Sequence, residues 1–432
     1  MKTEQSDIKV KNVNQIAIDM NTLCFPQRQT VGTLGYDNIR GNATYQWEYQ
    51  TQWIHTHRGI LLSGDLLNVN GPQYAQGRLF GLLQDALPDR WGKRLIEKRE
   101  RMRAAREGHL TKHLTDIDYL TQIDDTTRIG ALQLRENEHL LGTAYVSTPV
   151  PPLTNLREFA DMAQEYERQD AQGGSIREEW LLNLYRQGSS LGGARPKANV
   201  RDTDGSLWIA KIPSVSDEYD VALWEFFAHR MAEQCGIQVP EMRLLSLAGQ
   251  RYHTLLSKRF DRQGEARIHY ASAMTLAGLQ DGADANTGNG YIDIVDVIIG
   301  NAGFVSPQAA LEQLYRRVAY SIIIGNHDDH FRNHGFLLTE KGWVWSPAFD
   351  INPSESDTQS LLISRDSNDS SLRELLSSAD DYMLPSATAH SIIDEVCAAM
   401  QSWQTVALSC GIRPNEMERF ASRIEYGRQT II

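Results

Sequence analysis

IIIGNHDDHFRNHGF, residues 322–336, is the segment from which the architecture of this chain can be predicted. Its apolar run ends at Gly325, a residue typical of a helix stop, and a loop rich in histidine and aspartate follows. This loop allows two interpretations. His327, His330 and His334 could be metal ligands, or one aspartate could carry the chemistry while its neighbours position it.

The two interpretations require different spacings. His330 and His334 are four residues apart, but they form no H-E-x-x-H motif and they follow a helix stop. The second interpretation requires only D-x-x-x-x-N, in which the aspartate acts on a substrate hydroxyl and the asparagine binds Mg²⁺. Asp328 and Asn333 match this pattern, with His330 as a hydrogen-bonding residue that shapes the loop. The spacing favours one working aspartate over a histidine metal cluster.

The sequence after this loop predicts a β-hairpin that returns a second carboxylate. HGFLLTEKGWVW, residues 334–345, predicts two strands joined by a turn at TEKG, and Asp350 follows in SPAFDINP. A carboxylate brought back beside Asp328 would complete an Mg²⁺ site made of oxygen ligands.

Three upstream features complete the order of parts found in a protein kinase. The glycine-rich segment 188–197 could cradle phosphates, with Arg195 and Lys197 adding positive charge, although a plain turn also fits it. Lys211 ends the apolar strand LWIAKIP, and Glu225 lies on an amphipathic helix; a kinase uses such an ion pair to hold ATP phosphates. The alternatives are an edge-strand charge and a solvated helix face. HRD, DFG and APE motifs are absent.

Composition limits the class of protein. The 432 residues permit two or three domains, and 41% hydrophobic with 23% charged residues is typical of a soluble globular chain. A net charge of −12 disfavours tight, unaided binding to nucleic acid or anionic membranes. Four widely spaced cysteines and the absence of a signal core or an 18-residue apolar stretch predict a reduced, cytoplasmic protein without a membrane segment.

The chain divides at a proline-rich segment. STPVPPLTN, residues 147–155, is the best linker candidate because three prolines occupy four positions. We therefore predict an N-terminal subdomain over 1–146, a linker over 147–155, a β-rich lobe over 156–265 and a helical lobe over 266–432.

Local patterns predict the elements within these parts. YQWEYQTQWI (45–54) and RGILLSG (58–64) are predicted as strands, and a helix interrupted near Pro88 follows. KANVRDTDGSLWIAKIP (197–213) predicts a strand pair joined at TDG, and residues 387–411 predict one long helix.

Several of these segments resemble the HipA family of bacterial toxin kinases, over most of the chain. SLGGARPKA is similar to the family's S-x-x-G-A-x-x-K loop, WIAKIP to its ATP-lysine strand, and LLSKRFDR to its E-R-F-D-R segment. GNHDDHFRNHGF is similar to the G-N-x-D-x-H-x-x-N catalytic loop, and AFDINP to the metal-binding segment. VGTLGYD, GLLQDALPDRWGKRL and IGALQL resemble the family's N-terminal region. Lys258 stands where the family commonly has glutamate, and Phe349 replaces a tyrosine.

The resemblance implies an α+β, two-lobed protein-kinase-like fold with a β-rich N-terminal subdomain and a helical C-terminal lobe. It implies a serine/threonine protein kinase that uses ATP and Mg²⁺, with Asp328 and His330 catalytic and with Asn333 and Asp350 holding the metal. Ser190, or less favourably Ser189, is the implied autophosphorylation site. The implied cofactor-binding residues are Gly192, Gly193, Ala194, Arg195, Lys197, Lys211, Glu225, Lys258 and Phe260.

The resemblance also implies partners. These are a small helix-turn-helix antitoxin (HipB-like), operator DNA bound mainly through that antitoxin, and a protein substrate in translation such as an aminoacyl-tRNA synthetase. The rival hypotheses are a metal-dependent phosphohydrolase or nuclease using His327, Asp328 and His330, and a pseudokinase that acts only as a corepressor.

Overall fold

The computed structural model describes residues 14–39, 42–143, 150–174, 177–188, 195–301 and 303–429. The N-terminal region contains β1 Asn14–Met20, β2 Gln29–Ile39, β3 Asn42–Tyr49, α1 Thr51–Thr56, β4 Gln73–Gln76, α2 Gly81–Gln84, α3 Arg90–Glu107, α4 Asp116–Gln122, β5 Leu132–Glu136 and β6 His139–Leu140. Its six strands form an antiparallel sheet in the order β4-β3-β2-β1-β5-β6. In β3, every second side chain is buried, as expected for a strand with one face on a core.

The middle region forms a second sheet. It contains α5 Leu156–Ala171, α6 Glu178–Gly188, β7 Lys197–Arg201, β8 Leu207–Lys211, α7 Val221–Gln234, β9 Met242–Leu245 and β10 Thr254–Lys258. The four strands run antiparallel in the order β7-β8-β10-β9, which confirms the strand pair predicted at 197–213. Helix α7 begins where the Asp220 carboxylate accepts a hydrogen bond from the Leu223 amide at 3.1 Å.

The last region is mainly helical. It contains β11 Arg262–Gln263, β12 Ala266–Arg267, β13 His269–Ser272, α8 Ala273–Ala277, α9 Tyr291–Gly300, α10 Pro307–Ile324, β14 Gly335–Thr339, β15 Gly342–Trp345, α11 Leu372–Ser377, α12 Ser386–Met400, α13 Trp403–Cys410 and α14 Pro414–Gln429. Helix α10 ends at Gly325, whose φ of 78° is the left-handed conformation of a glycine cap, as predicted. The predicted hairpin is β14–β15.

Three predictions of local structure were wrong. Residues 58–64 form no strand, because they bond and pack onto α8, with the Gly64 amide donating to the Thr275 carbonyl at 2.9 Å. The second half of YQWEYQTQWI is α1, which buries Trp53 and Ile54. The long C-terminal helix breaks at Gln401-Ser402 into α12 and α13.

The domain boundaries stay a prediction, and apolar clusters pack across them. Trp91 and Leu95 of α3 are buried in the same apolar cluster as residues of α5, α6 and the β7–β10 sheet. A second apolar cluster joins the N-terminal sheet to the helical lobe. Across the described parts of the chain, no helix is both long and apolar enough to span a membrane.

Candidate active site

A cavity of about 220 Å³ is lined by residues of the β7–β10 sheet and of the helical lobe. It brings together most of the side chains that were predicted from the sequence to bind nucleotide and metal. The predicted residues that line it are Lys197, Lys211, Glu225, Lys258, Phe260, His330, Asn333 and Asp350. Asp85, Leu87 and Asp89 of the N-terminal region also line it, which the sequence analysis did not predict.

Lys211 joins the two lobes through its ammonium group. Its Nζ lies 2.5 Å from Glu225 Oε1 and 2.7 Å from Asp350 Oδ1. Lys211 is the last residue of β8 and Glu225 lies in the first turns of α7, so sheet and helix together fix this pair. Glu225 is buried, which makes the neutralising charge important.

The charges around Lys211 determine its ionisation. Desolvation acts to lower the pKa of Lys211, but the charges of Asp350 and Glu225 outweigh it and raise that pKa. The Lys211 charge in turn holds the pKa of Asp350 well below its usual range. The site therefore holds a fixed cation beside an ionised carboxylate.

The second predicted lysine lies directly across the sheet. Lys197 pairs with Lys211 in the β7–β8 register, and desolvation lowers its pKa although the charge of Asp350 opposes this. Arg195 differs from the prediction. Its guanidinium pairs with Asp217 at 2.9 Å and does not reach the lining of the cavity. The Asp217 carboxylate thus competes with any phosphate for the Arg195 guanidinium.

Residues 325–334, here called the Asp328 loop, present an exposed aspartate. Partial desolvation raises the pKa of Asp328, as do the charges of Asp350 and Asp329, while His330 opposes this effect. The Asn333 Nδ2 donates to the Asp328 carbonyl at 3.0 Å, which fixes the five-residue spacing predicted from the sequence. A raised pKa makes Asp328 a better proton acceptor than an ordinary surface aspartate.

Asp329 is a residue that sequence reasoning missed. Its buried carboxylate accepts hydrogen bonds from the Tyr291 hydroxyl at 2.8 Å and the Ser321 hydroxyl at 3.0 Å. It also lies 3.1 Å from His334 Nε2. These contacts anchor the Asp328 loop to α9 and α10. The sequence signals this role only by placing two aspartates side by side. In a loop, the order of residues does not indicate which of two adjacent side chains is buried.

The three histidines of the loop have separate surroundings. His327 Nδ1 lies 2.8 Å from the Ser354 hydroxyl, and burial lowers the pKa of His327 to about 4. His334 contacts Asp329, whereas His330 lines the cavity. The predicted hydrogen-bonding role of His330 is not seen: its buried Nδ1 has no partner within the described residues. Over those same residues, no group of three His, Cys, Asp or Glu side chains is arranged around a metal position.

Part of the cavity lining is aromatic. The Phe260 ring lies 5.5 Å from the Phe349 ring and 6.0 Å from the Tyr270 ring, measured between centroids. Lys258 also lines the cavity, and its ammonium pairs with Glu241 at 3.0 Å. An apolar wall beside fixed charges suits a ligand with a flat ring and an anionic end.

The oxygen ligands fit Mg²⁺. Asn333 uses its Nδ2 for the Asp328 carbonyl, which leaves the amide oxygen as the group available to a cation. Asp350 is ionised and has a φ of 59°, a backbone conformation that costs energy outside glycine and is common at functional sites. A carboxylate and an amide oxygen are ligands that Mg²⁺ accepts. The predicted residues Ser189, Ser190, Gly192, Gly193 and Ala194 lie outside the described residues.

Comparison with known families agrees with this arrangement. A model of the HipA-like C-terminal domain matches residues 189–404, which is half of the chain. A model of the HipA N-terminal domain matches residues 24–116. The chain belongs to the HipA family.

Two curated relatives are similar to this chain over part of their length. The serine/threonine-protein kinase toxin HipA of Shewanella oneidensis is 24% identical over 197 residues, covering 40% of this chain and 45% of that protein. Y4dM of Sinorhizobium fredii, which is named provisionally as a kinase, is 30% identical over 159 residues, covering 34% of this chain and 37% of that protein. The chain spans less than half the length of the curated relatives it matches.

One solved structure is similar to this chain over almost its whole length. In the complex of Shewanella oneidensis HipA, HipB and operator DNA, one chain matches with a TM-score of 0.62 and 17% identity, covering 96% of this chain and 95% of that chain. This match confirms the predicted α+β, two-lobed HipA-like fold.

Proposed function

We propose that this HipA-family chain is a serine/threonine protein kinase that uses ATP and Mg²⁺ and acts as the toxin of a toxin–antitoxin system. The observation that carries the proposal is the Lys211 ammonium, which contacts both Glu225 and Asp350 at 2.5 and 2.7 Å beside the Asp328 loop. A fixed cation between two carboxylates is the device with which protein kinases align ATP phosphates and metal.

The residues divide the chemistry between binding and proton transfer. Lys211 and Lys197 attract the phosphates, while the aromatic wall at Phe260 accepts the adenine ring. Asn333 and Asp350 would hold Mg²⁺, which would neutralise charge on the transferring phosphoryl group.

Asp328 orients the acceptor hydroxyl and takes its proton. The hydroxyl oxygen forms a bond to the γ-phosphorus as the bond to the ADP oxygen breaks. No covalent enzyme intermediate is needed, because phosphoryl transfer depends mainly on positioning and charge stabilisation.

Asp328→Asn tests this assignment. It removes a charge at nearly constant volume, so phosphotransfer from ATP to a protein acceptor should fall by at least about 100-fold, as for the loss of a general base. Affinity for Mg–ATP in calorimetry should stay close to that of the parent chain. The control is Asp394→Asn on the exposed face of α12, which should keep full activity.

The outcome separates the rival hypotheses. Activity of Asp328→Asn within about tenfold of the parent, on the order of 1.4 kcal/mol in barrier, would exclude Asp328 as the catalytic group. Thermal stabilisation by a transition metal but not by Mg–ATP would favour a phosphohydrolase or nuclease instead. ATP binding with no phosphotransfer in the parent chain would favour the pseudokinase corepressor.

The proposed partners follow from the family and from charge. We propose a HipB-like helix-turn-helix antitoxin and operator DNA bound mainly through it, since the chain carries a net charge of −12 and its structural match is a HipA, HipB and operator DNA complex. Gel shifts with and without the antitoxin test this. We further propose a cytoplasmic protein substrate in translation, such as an aminoacyl-tRNA synthetase, which phosphoproteomics of cells expressing the parent chain or Asp328→Asn would identify.

A further inference from the structure

A buried carboxylate of the N-terminal region reaches the Asp328 loop. Asp85 lies between α2 and α3, and its side chain is only 8% exposed. It accepts hydrogen bonds from the amide and the hydroxyl of Ser272, both at 2.7 Å. It also lies 3.3 Å from Arg332 Nη1. One carboxylate therefore receives three donors from the helical lobe.

These donors lie at the C-terminal end of the Asp328 loop. Arg332 lies within the Asp328 loop, immediately before Asn333. Ser272 is the last residue of β13 and pairs with Gly335, the residue that follows the loop. Asp85 thus contacts the loop directly and, through Ser272, the strand into which the loop leads.

Arg332 has a second carboxylate partner that offers an internal comparison. Its Nε lies 2.7 Å from Asp281, whose side chain is 69% exposed, whereas Asp85 is buried. Desolvation acts to lower the pKa of Arg332, but the hydrogen bond to Asp281 and the charges of Asp85 and Asp281 raise it. An exposed ion pair contributes little, while a buried, multiply bonded carboxylate fixes geometry.

A second contact of the N-terminal region lies at Gly188, where the glycine-rich segment 188–197 begins. Trp91 is fully buried, and a Cβ at Gly188 would lie 2.8 Å from Trp91 Nε1 and 2.6 Å from the Lys197 carbonyl oxygen. Only glycine allows this approach of backbone to indole. Residues 85–91, here called the N-terminal brace, therefore extend from the Asp328 loop to the end of α6.

We propose that Asp85 is a positioning residue for phosphotransfer: through Arg332 and Ser272 it holds the Asp328 loop in register with the nucleotide site. The N-terminal region then contributes to the geometry of catalysis through Asp85. This inference rests on the kinase activity proposed above. Near-attack geometry is demanding, and a displacement of about 1 Å costs on the order of 100-fold in rate.

The test is the kinetics of Asp85→Asn in the full chain. The substitution removes the charge that faces Arg332 and keeps the side-chain volume. We expect kcat to fall about 10- to 100-fold, in line with a misplaced catalytic group, while the dissociation constant for Mg–ATP stays within about twofold. Rates are expressed per molecule that binds Mg–ATP, so that a smaller folded fraction does not count as slower chemistry.

Two variants serve as controls. Asp281→Asn removes the exposed partner of the same arginine and should leave kcat within about threefold. Arg332→Gln should reproduce the loss seen in Asp85→Asn. The double variant Asp85→Asn/Arg332→Gln should lose no more than the stronger single variant, because Arg332 acts through its contact with Asp85 and each single variant already breaks that contact.

Three outcomes would overturn the inference: an unchanged kcat in Asp85→Asn, an equal loss in Asp281→Asn, or fully multiplicative losses in the double variant. If Asp85→Asn does not fold, Arg332→Gln decides, and an unchanged kcat in that variant overturns the proposal. A parent chain without phosphotransferase activity would instead contradict the proposed function, since every variant would then be inactive.

Discussion

Asp261 offers the sharpest test of how the N-terminal region is joined to the kinase-like lobes. Its carboxylate is buried and accepts hydrogen bonds from Arg259 Nε at 2.8 Å, Arg259 Nη2 at 2.6 Å, Arg262 Nη1 at 2.6 Å and the Gly130 amide at 2.8 Å. The same Arg259 donates to the Thr127 carbonyl at 2.6 Å. Asp261→Asn would leave two arginines buried without their counter-charge.

The magnitude follows from this burial. Breaking a buried ion pair by neutralising one partner costs about 3–5 kcal/mol in the free energy of unfolding. Burial alone would raise the pKa of Asp261, but the charges of Arg259 and Arg262 lower it well below its usual range. Because the folded-state pKa is depressed, this stabilisation is present above the unfolded value of about 3.9 and is lost as the pH falls through the folded value. It is therefore fully present at pH 7.

Urea-induced unfolding at pH 7 measures this loss. With an m-value of roughly 1–3 kcal/mol/M, a loss of about 3–5 kcal/mol in Asp261→Asn should lower the urea midpoint by on the order of 1–5 M. The control is Glu265→Gln, which breaks the pair between Arg201 and a glutamate that is 86% exposed, and should change stability by under about 1 kcal/mol. A loss in Asp261→Asn no larger than that of the control would refute the reasoning.

Two further predictions concern the nucleotide site and its regulation. Lys211→Ala and Asp350→Asn should each weaken Mg–ATP binding in calorimetry by at least about tenfold, because these side chains meet phosphate and metal; unchanged affinity in both would remove the proposed site. Mass spectrometry after incubation with ATP should find phosphate on Ser190, or less favourably Ser189, in the parent chain and none in Asp328→Asn. The phosphorylated fraction should bind Mg–ATP weakly, since phosphoserine adds about −1.5 to −2 charge, and two unmodified serines in active protein would contradict autophosphorylation.

Local chemistry explains which parts of the site could be predicted from the sequence. Gly325 ends α10 as a glycine cap, and the spacing from Asp328 to Asn333 is closed by a hydrogen bond within the loop. Lys211 and Glu225 are joined over 14 positions by one strand and one helix. Each of these relations depends on neighbours along the chain, so the pattern of residue types is sufficient to indicate it.

Long-range contacts explain what the sequence could not provide. Asp85 and Arg332 are separated by 247 positions and Asp85 and Ser272 by 187, so no periodicity or motif links them. In the sequence, Asp85 stands within GLLQDALPDRWGKRL, which resembles the family's N-terminal region, but that resemblance assigns it no role. Residues 58–64 failed as a strand for the same reason, because their partner is α8 and not a neighbouring strand.

The segment after β10 shows how one motif can serve two purposes. All four residues of this segment line the cavity, namely Lys258, Arg259, Phe260 and Asp261. Arg259 and Asp261 also bond to the N-terminal region, through the Thr127 carbonyl and the Gly130 amide. The departure from the family pattern falls on Lys258, whose charge is compensated by Glu241 at 3.0 Å. Lys258 therefore takes its charge partner outside the contacts that Arg259 and Asp261 make with the N-terminal region, so this departure from the family pattern is compatible with those contacts.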